Sequence, residues 1–229
     1  MESIAVITGT LNPFTEYWMG EPEEVETPYG KVWIKRTDDI IVLPRHGIEK
    51  NIPPHMIEHR ANVSALYKMG VRNIVAFYSV GSLKRSLEPG EILVVDDYIN
   101  RGTIPTFFDK EIHHITPSLR CGFRDEIISI MRAIGVRHRR HGTYIQTRGP
   151  RLETRAEIAM LANFGDIVDM TMCSEATLAR EKEIEFCPVC FIDNYCNGIV
   201  DEILSFENIR HQADRNQQIA SMIIKEIVN

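Results

Sequence analysis

The chain has 229 residues, of which 44% are hydrophobic and 25% charged, a composition typical of one globular domain and not of a disordered or fibrous chain. A formal net charge of −6 argues against nucleic-acid binding, because non-specific affinity for phosphate backbones comes from Lys and Arg side chains that displace counterions. The apolar runs are no longer than a strand, so no membrane span is expected. The amino terminus lacks the pattern of a signal peptide, and the five cysteines have no framework spacing. We therefore expect a cytoplasmic protein that binds neither nucleic acid nor a membrane.

Short β-branched runs alternate with longer segments of helical periodicity along the chain. The predicted strands cover residues 4–7, 32–34, 40–43, 73–78, 91–96, 141–147, 166–170 and 186–192. The predicted helices cover residues 54–69, 118–134, 154–164, 174–182 and 205–228. No repeat or linker divides the chain, so we expect a single domain over residues 1–229. The alternation predicts an α/β fold, a three-layer sandwich around a mixed, largely parallel central β-sheet.

Cys187 and Cys190 form a C-x-x-C pair, a spacing found in zinc sites and redox pairs. Both lie in a predicted buried strand, where residues three apart point to opposite faces, so their sulfur atoms should not converge. The sequence has no second C-x-x-C pair and no H-x-x-x-H pair to complete four ligands. We therefore expect neither a metal site nor a redox role.

The loops that follow the predicted strands are the segments to search for a site, because ligands of such sheets bind at the carboxyl ends of the strands. Thr8-Gly9-Thr10 and Ser79 offer hydroxyls for an anion, and Arg45-His46-Gly47 adds a guanidinium and an imidazole. Taken alone, this Arg–His pair is more typical of a solvated loop than of an anion clamp. The Glu153 carboxylate can accept hydrogen bonds from a polar ring, and the Asn194 amide can both donate to such a ring and accept from it. By themselves these loops indicate a phosphate or nucleoside site.

The loop motifs also form an ordered set along nearly the whole chain. In chain order they are Thr8-Gly9-Thr10, Arg45-His46-Gly47, Gly81-Ser82-Leu83, Pro89-Gly90-Glu91-Ile92, Gly149-Pro150-Arg151, Arg155-Ala156-Glu157, Asp169-Met170-Thr171, Glu175, Leu178-Ala179-Arg180-Glu181 and Asn194-Tyr195. This set resembles the trimeric purine nucleoside phosphorylase and methylthioadenosine phosphorylase family. Residues 149–194 are most similar to the branch that acts on S-methyl-5′-thioinosine.

The resemblance implies phosphorolysis, in which inorganic phosphate is the co-substrate and releases a free purine and a (methylthio)ribose 1-phosphate, as in purine salvage. It implies no metal, no other cofactor and a homotrimer or a dimer of trimers. The residues it assigns to phosphate are Thr10, Arg45, His46, Tyr78, Ser79 and Thr171. Those it assigns to the nucleoside are Met170 at the ribose, His114 at the 5′ group across a subunit boundary, and Glu153, Asn194, Tyr195 and Cys196 around the base. Glu153 and Asn194 are the predicted catalytic residues.

Three of these positions predict which purine is used. In the methylthioadenosine branch of the family, the position of Asn194 is usually Asp, that of Cys196 an acid and that of Glu153 Ser. Asn194 can donate to a 6-oxo group, and Glu153 can accept from the N1–H of a 6-oxopurine. We therefore favour S-methyl-5′-thioinosine or another 6-oxopurine nucleoside.

Several alternatives stay open at this point. One is S-methyl-5′-thioadenosine phosphorylase, and another is that Glu153 merely caps its helix. A third is a purine-nucleoside-binding protein with weak or no phosphorolysis, because Leu11 and Tyr78 depart from the family pattern near the phosphate.

Overall fold

The computed structural model describes residues 3–10, 21–37, 40–201 and 206–228, with the backbone alone described for 206–214. Leu11 and the first residue of the last predicted helix, Ser205, lie outside these ranges. The strands are β1 (Ser3–Thr8), β2 (Pro22–Thr27), β3 (Gly30–Arg36), β4 (Ile40–Pro44), β5 (Val71–Ser82), β6 (Ile92–Leu93), β7 (Asp97–Asn100), β8 (Thr143–Gln146), β9 (Ile167–Asp169) and β10 (Glu185–Tyr195). The helices are α1 (His59–Lys68), α2 (Gly122–Ala133), α3 (Arg155–Leu161), α4 (Met172–Glu181) and α5 (Phe206–Ile227).

All of these strands belong to one mixed sheet. Its main path runs in the order β2-β3-β4-β1-β5-β9-β8-β7, and β10 pairs with β5 and with β6. The pairings β1–β4, β1–β5, β5–β10, β7–β8 and β8–β9 are parallel. The pairings β2–β3, β3–β4, β5–β9 and β6–β10 are antiparallel. This confirms the predicted α/β fold with a mixed sheet.

Helices cover both faces of the sheet, which gives the three layers. On one face, buried residues of α1 and α4 pack with alternate residues of β1, β5 and β10. On the other face, α2 and α5 pack against the residues of the same strands that point the opposite way. The alternation arises because successive side chains of a strand point to opposite faces. None of the described helices is both long and apolar enough to cross a membrane.

The sequence missed two strands and misjudged several element boundaries, among them the C-terminal ends of β5 and β10, which extend to Ser82 and Tyr195. It missed β2 because Val25 is its one buried residue, so the apolar signal of an edge strand is absent. It missed β7, in which no residue is buried, for the same reason. The predicted strand 91–96 shrinks to β6, since Val94 and Asp96 donate their amides to carbonyls outside the strand ladders.

Two predicted helices begin later than their sequence pattern suggested. Residues 54–69 form a 3₁₀ turn (Pro54–Met56) and then α1, because Ile57 is extended and the Glu58 side chain accepts from the Arg60 amide to start a new helix. The predicted helix 118–134 begins only at Gly122, since the Ser118 hydroxyl binds the Arg120 amide in a local turn.

Cys187 and Cys190 lie on β10 and are both free and buried. Cys190 packs in the core on the α1–α4 side and Cys187 in the core on the α2–α5 side. Their side chains therefore leave opposite faces of the strand, as the spacing predicts. Across the described ranges no cluster of three or more His, Cys, Asp or Glu residues could hold a metal ion.

We expect thiol labelling to follow this burial. Of the five cysteines, Cys121 is half-buried and the others are buried, and burial also raises the pKa of the Cys187 and Cys190 thiols. Dithionitrobenzoate should therefore react with Cys121 first in the native protein and with all five thiols in guanidinium. A chelator should leave Tm unchanged. Rapid native labelling of Cys187 together with Cys190, or bound zinc that a chelator removes, would contradict this arrangement.

Candidate active site

Two adjoining cavities lie where loops and strand ends meet at one edge of the sheet. The larger, the Arg45 cavity, has a volume of about 470 Å³ and is lined by Gly9, Thr10, Arg45, His46, Lys50, Asn51, Ile52, Pro53, Pro54, Ser79, Asp169 and Thr171. The smaller, the Glu153 cavity, has a volume of about 200 Å³ and is lined by Ser79, Val80, Gly81, Leu152, Glu153, Val168, Asp169, Met170, Asn194, Cys196 and Asn197. Ser79 and Asp169 line both cavities, so they form the wall at which the two meet.

A buried ion pair forms the floor of the Arg45 cavity. The Arg45 guanidinium donates through Nε to Glu175 Oε1 at 2.8 Å and through Nη2 to Oε2 at 3.2 Å. Its Nη1 donates to the Phe77 carbonyl at 2.9 Å. Burial alone would lower the pKa of Arg45, but the Glu175 carboxylate raises it above its ordinary value. Arg45 therefore stays charged, and three of its five N–H donors are held by the protein.

Tyr78 completes this floor without lining the cavity. Its hydroxyl donates to Glu175 Oε2 at 2.5 Å, and the Arg45 guanidinium lies 4.3 Å from its ring centre. The side chain is 1% exposed, and burial, followed by the Glu175 charge, raises the pKa of the phenol well above its ordinary value. The sequence placed Tyr78 among the phosphate ligands. The structure corrects this placement, because the phenol is turned into the core and supports Arg45 from below.

His46 presents an acceptor to the Arg45 cavity. Its Nδ1 lies 2.8 Å from the Ile52 carbonyl, which can only accept, so Nδ1 carries the proton. Burial lowers the pKa of the ring below its ordinary value. In the neutral ring, Nε2 is then an acceptor. This nitrogen can receive a hydrogen bond from a protonated oxygen of an anion.

Two of the three predicted Ser and Thr donors, Ser79 and Thr171, are engaged by carboxylates. The Ser79 hydroxyl donates to Asp193 Oδ2, and the Thr171 hydroxyl donates to Asp169 Oδ2 at 3.1 Å. Thr10 lies exposed at the rim, where its carbonyl accepts from Lys50 Nζ at 3.3 Å. Within this cavity, the Thr10 hydroxyl, the Lys50 ammonium and the remaining Arg45 N–H groups are available to an anion.

Asp193 lies behind the shared wall and connects it to α5. Its Oδ1 accepts from the Asn216 amide at 2.6 Å, and both side chains are almost fully buried. Burial raises the pKa of Asp193 to about 6. The carboxylate therefore fixes the orientation of Ser79 from the side opposite the cavities.

The Glu153 cavity contains three of the four residues predicted for the base, namely Glu153, Asn194 and Cys196. Glu153 Oε1 accepts from the Thr147 hydroxyl at 2.5 Å, and the Asn194 amide donates to the Tyr195 carbonyl at 2.9 Å. The alternative that Glu153 caps its helix is wrong, because Thr154 is the N-cap of α3 and forms a capping box with Glu157. Glu153 is thereby left to face the cavity.

The other sequence candidates occupy three different environments. Met170 and Cys196 line the Glu153 cavity. The Tyr195 hydroxyl donates to the Arg85 carbonyl at 3.3 Å, and Tyr195 lines neither cavity. His114 lies in an exposed loop and also lines neither cavity. The subunit-boundary role of His114 stays a prediction.

Sequence reasoning missed four residues that shape the site: Asp169, Asp193, His59 and, in its function, Glu175. Asp169 and Glu175 were part of the ordered motifs, and Asp193 precedes Asn194, so proximity to a predicted site residue was the available signal. His59 had no such signal. Its Nδ1 lies 3.8 Å from Glu175 Oε1 and has no hydrogen-bond partner among the described residues, and burial lowers its pKa.

Known proteins resemble this chain in sequence and in fold. Residues 4–229 match the model of the phosphorylase superfamily. The chain belongs to this superfamily. It is 37% identical over 215 residues to a probable 6-oxopurine nucleoside phosphorylase of Archaeoglobus fulgidus, covering 91% of this chain and 88% of that protein. It is also 37% identical over 235 residues to a probable S-methyl-5′-thioinosine phosphorylase of Methanocaldococcus jannaschii, covering 99% and 92%.

A superfamily member of known structure has the same fold. Methylthioadenosine phosphorylase from Schistosoma mansoni, solved in complex with adenine, superimposes with a TM-score of 0.86 at 24% identity. The match covers 100% of this chain and 91% of that one. The α/β architecture of this chain is thus shared with that protein.

We expect the Arg45–Glu175 pair to dominate the stability of the site. Glu175→Gln leaves the Arg45 charge buried without its partner, and breaking a buried pair in this way typically costs about 3–5 kcal/mol. The free energy of unfolding, measured by urea titration with circular dichroism, should fall by that amount.

Glu24→Gln is the matched control. Glu24 pairs with Lys31 at 2.7 Å on the surface, where an ion pair contributes little to stability. Equal losses in the two variants would show that the buried pair has no special weight.

Proposed function

We propose that the protein catalyses phosphorolysis of purine nucleosides, with S-methyl-5′-thioinosine or another 6-oxopurine nucleoside as substrate. The observation that carries this proposal is the shared wall of Ser79 and Asp169 between an Arg–His cavity and a Glu–Asn cavity. Phosphorolysis needs an anion and a heterocycle on the two sides of one sugar carbon. The names of the two relatives, both 37% identical, support the same reaction class.

The proposed reaction needs only nucleoside and hydrogen phosphate. A phosphate oxygen forms a bond to C1′ as the bond from C1′ to the purine nitrogen breaks, and the electron pair leaves with the purine. The phosphate proton is transferred to the purine, so the products are the free base and a sugar 1-phosphate. The remaining Arg45 N–H groups donate to the phosphate oxygens, and His46 Nε2 accepts a hydrogen bond from the P–OH before that proton departs.

Asn194 and Glu153 act on the departing purine. Negative charge builds on the ring as the bond to C1′ breaks, and a preorganised amide donor stabilises that charge more in the transition state than in the substrate. Glu153 has one oxygen bound to Thr147 and a second that can accept from N1–H of a 6-oxopurine. Neutral adenine has no proton at N1, so this arrangement favours 6-oxopurines.

We also propose that the protein is a cytoplasmic homotrimer, alone or as a dimer of trimers. Two aliphatic side chains support an interface on the loop that carries His114, because Ile104 is 61% exposed and Ile112 is 92% exposed. A neighbouring subunit that covers them would bring His114 toward a second active site.

A base-release assay tests the proposed function. Protein is mixed with S-methyl-5′-thioinosine, inosine or S-methyl-5′-thioadenosine, with and without inorganic phosphate, and the free base is followed by chromatography. We expect release only with phosphate, and a higher kcat/KM for the two 6-oxopurine nucleosides. Release without phosphate would indicate a hydrolase. Tight binding without release would instead identify a nucleoside-binding protein, in which Glu175, Asp169 and Asp193 keep the donors from phosphate.

Asn194→Ala tests the base site separately. Loss of one preorganised donor typically lowers kcat by about 100- to 1000-fold, and we expect a decrease in that range with Tm nearly unchanged. Asn163→Ala is the matched control, since Asn163 is exposed at the end of α3 and bonds only to α3 carbonyls. A kcat for Asn194→Ala within about threefold of the wild type would remove Asn194 from the base site.

A further inference from the structure

The wall shared by the two cavities is where the sugar must lie, if the proposed function is correct. Phosphate attacks C1′ and the base leaves from the same carbon, so the sugar bridges the Arg45 and Glu153 cavities. Ser79 and Asp169 are the residues that line both. Whatever recognises the sugar near C1′ must therefore include these two side chains.

Asp169 has one carboxylate oxygen available to a ligand. Its Oδ2 accepts from the Tyr144 hydroxyl at 2.6 Å and from the Thr171 hydroxyl at 3.1 Å. No donor to Oδ1 is found in the part of the chain that the structure describes. Tyr144 is fully buried and Asp169 is half-buried, so the two hydroxyls fix the plane of the carboxylate while Oδ1 stays free.

An ionised carboxylate accepts hydrogen bonds and donates none. Against a phosphate dianion, Oδ1 would repel a bare oxygen, so a partner that brings its own proton is required. A sugar hydroxyl is such a partner. Ser79 adds little as a donor, because its proton is directed at Asp193.

The stereochemistry of the reaction selects which hydroxyl. In a β-nucleoside the base leaves from one face of the ribose, and a displacing phosphate approaches from the opposite face. The 2′-hydroxyl points to that opposite face and is attached to the carbon next to C1′. A residue that lines both the phosphate side and the base side of C1′ is therefore placed beside the 2′-hydroxyl.

We infer that Asp169 is a specificity-determining residue, whose free Oδ1 accepts a hydrogen bond from the ribose 2′-hydroxyl and selects ribonucleosides over 2′-deoxyribonucleosides. This inference rests on the proposed function for the position of the sugar. A purely structural role of Asp169 would affect all nucleosides alike, whereas this role affects only nucleosides that carry the 2′-hydroxyl.

The experiment compares three nucleosides with the wild type, Asp169→Ala and Asp169→Asn. The nucleosides are inosine, 2′-deoxyinosine and 3′-deoxyinosine, and kcat/KM is measured for each at saturating phosphate. Asp169→Ala should lower kcat/KM about 10- to 100-fold for inosine and 3′-deoxyinosine, the loss expected for one hydrogen bond to a charged group. It should leave 2′-deoxyinosine within about threefold of the wild type.

Asp169→Asn serves as the conservative variant and guards against misfolding of Asp169→Ala. Its amide oxygen can still accept from Tyr144 and Thr171, while its NH₂ group replaces Oδ1 as a neutral hydrogen-bonding group. It should therefore discriminate between inosine and 2′-deoxyinosine less than the wild type and more than Asp169→Ala. Asp97→Ala, an exposed residue on β7 outside both cavities, should change no ratio.

Two results would overturn the inference. One is an equal loss with all three nucleosides, which indicates a structural role, and the other is a loss that follows the 3′-hydroxyl. If the wild type releases hypoxanthine from none of them, the proposed function has failed instead. In that case the Kd of each nucleoside is measured by calorimetry for each variant. The ratio of the Kd values for 2′-deoxyinosine and inosine then replaces the ratio of kcat/KM values.

Discussion

The buried pair of Arg45 and Glu175 is the interaction on which the rest of the site depends. Arg45 follows β4 and Glu175 lies in the first turn of α4, so the pair joins elements that are 130 residues apart in the chain. Two charges removed from water are tolerated only when their geometry is good and their remaining donors and acceptors are satisfied. The Phe77 carbonyl and the Tyr78 hydroxyl supply that satisfaction. The pair thereby holds the end of β4, the middle of β5 and the start of α4 in one arrangement.

The same pair explains why the Arg45 cavity carries so little net charge. Much of the Arg45 charge is balanced by Glu175, and the neutral His46 offers a lone pair. Lys50 provides a further positive charge at the rim, while Asp169 adds a negative charge to the wall. In the proposed phosphorolysis, such a cavity would bind phosphate through a few directed hydrogen bonds more than through a strong field. Hydrogen phosphate would fit that proposed role, because it brings both acceptor oxygens and one proton.

Three carboxylates around the two cavities have different tasks because their surroundings differ. Glu175 is fully buried and neutralises a cation, and Asp193 is buried with a raised pKa and orients Ser79. Asp169 is half-buried, and among the described residues its side-chain hydrogen bonds reach only Oδ2. The sequence shows three similar acids, which lie in β9, α4 and β10. Their separate functions follow from the depth of each side chain and from the hydroxyls or amides that face it.

By itself the sequence determined the fold class and the superfamily, because these depend on local periodicity and on short motifs in a fixed order. Glu153 and Asn194 line one cavity and Arg45 and His46 line the other, while their roles toward base and phosphate stay predictions. Only the tertiary structure decided how hydrogen-bond donors are distributed, and so placed Tyr78 beneath the cavity. It also showed that Thr154 rather than Glu153 caps α3. The physical reason is that a side chain's partners come from elements distant in sequence, and no local pattern records which donor meets which acceptor.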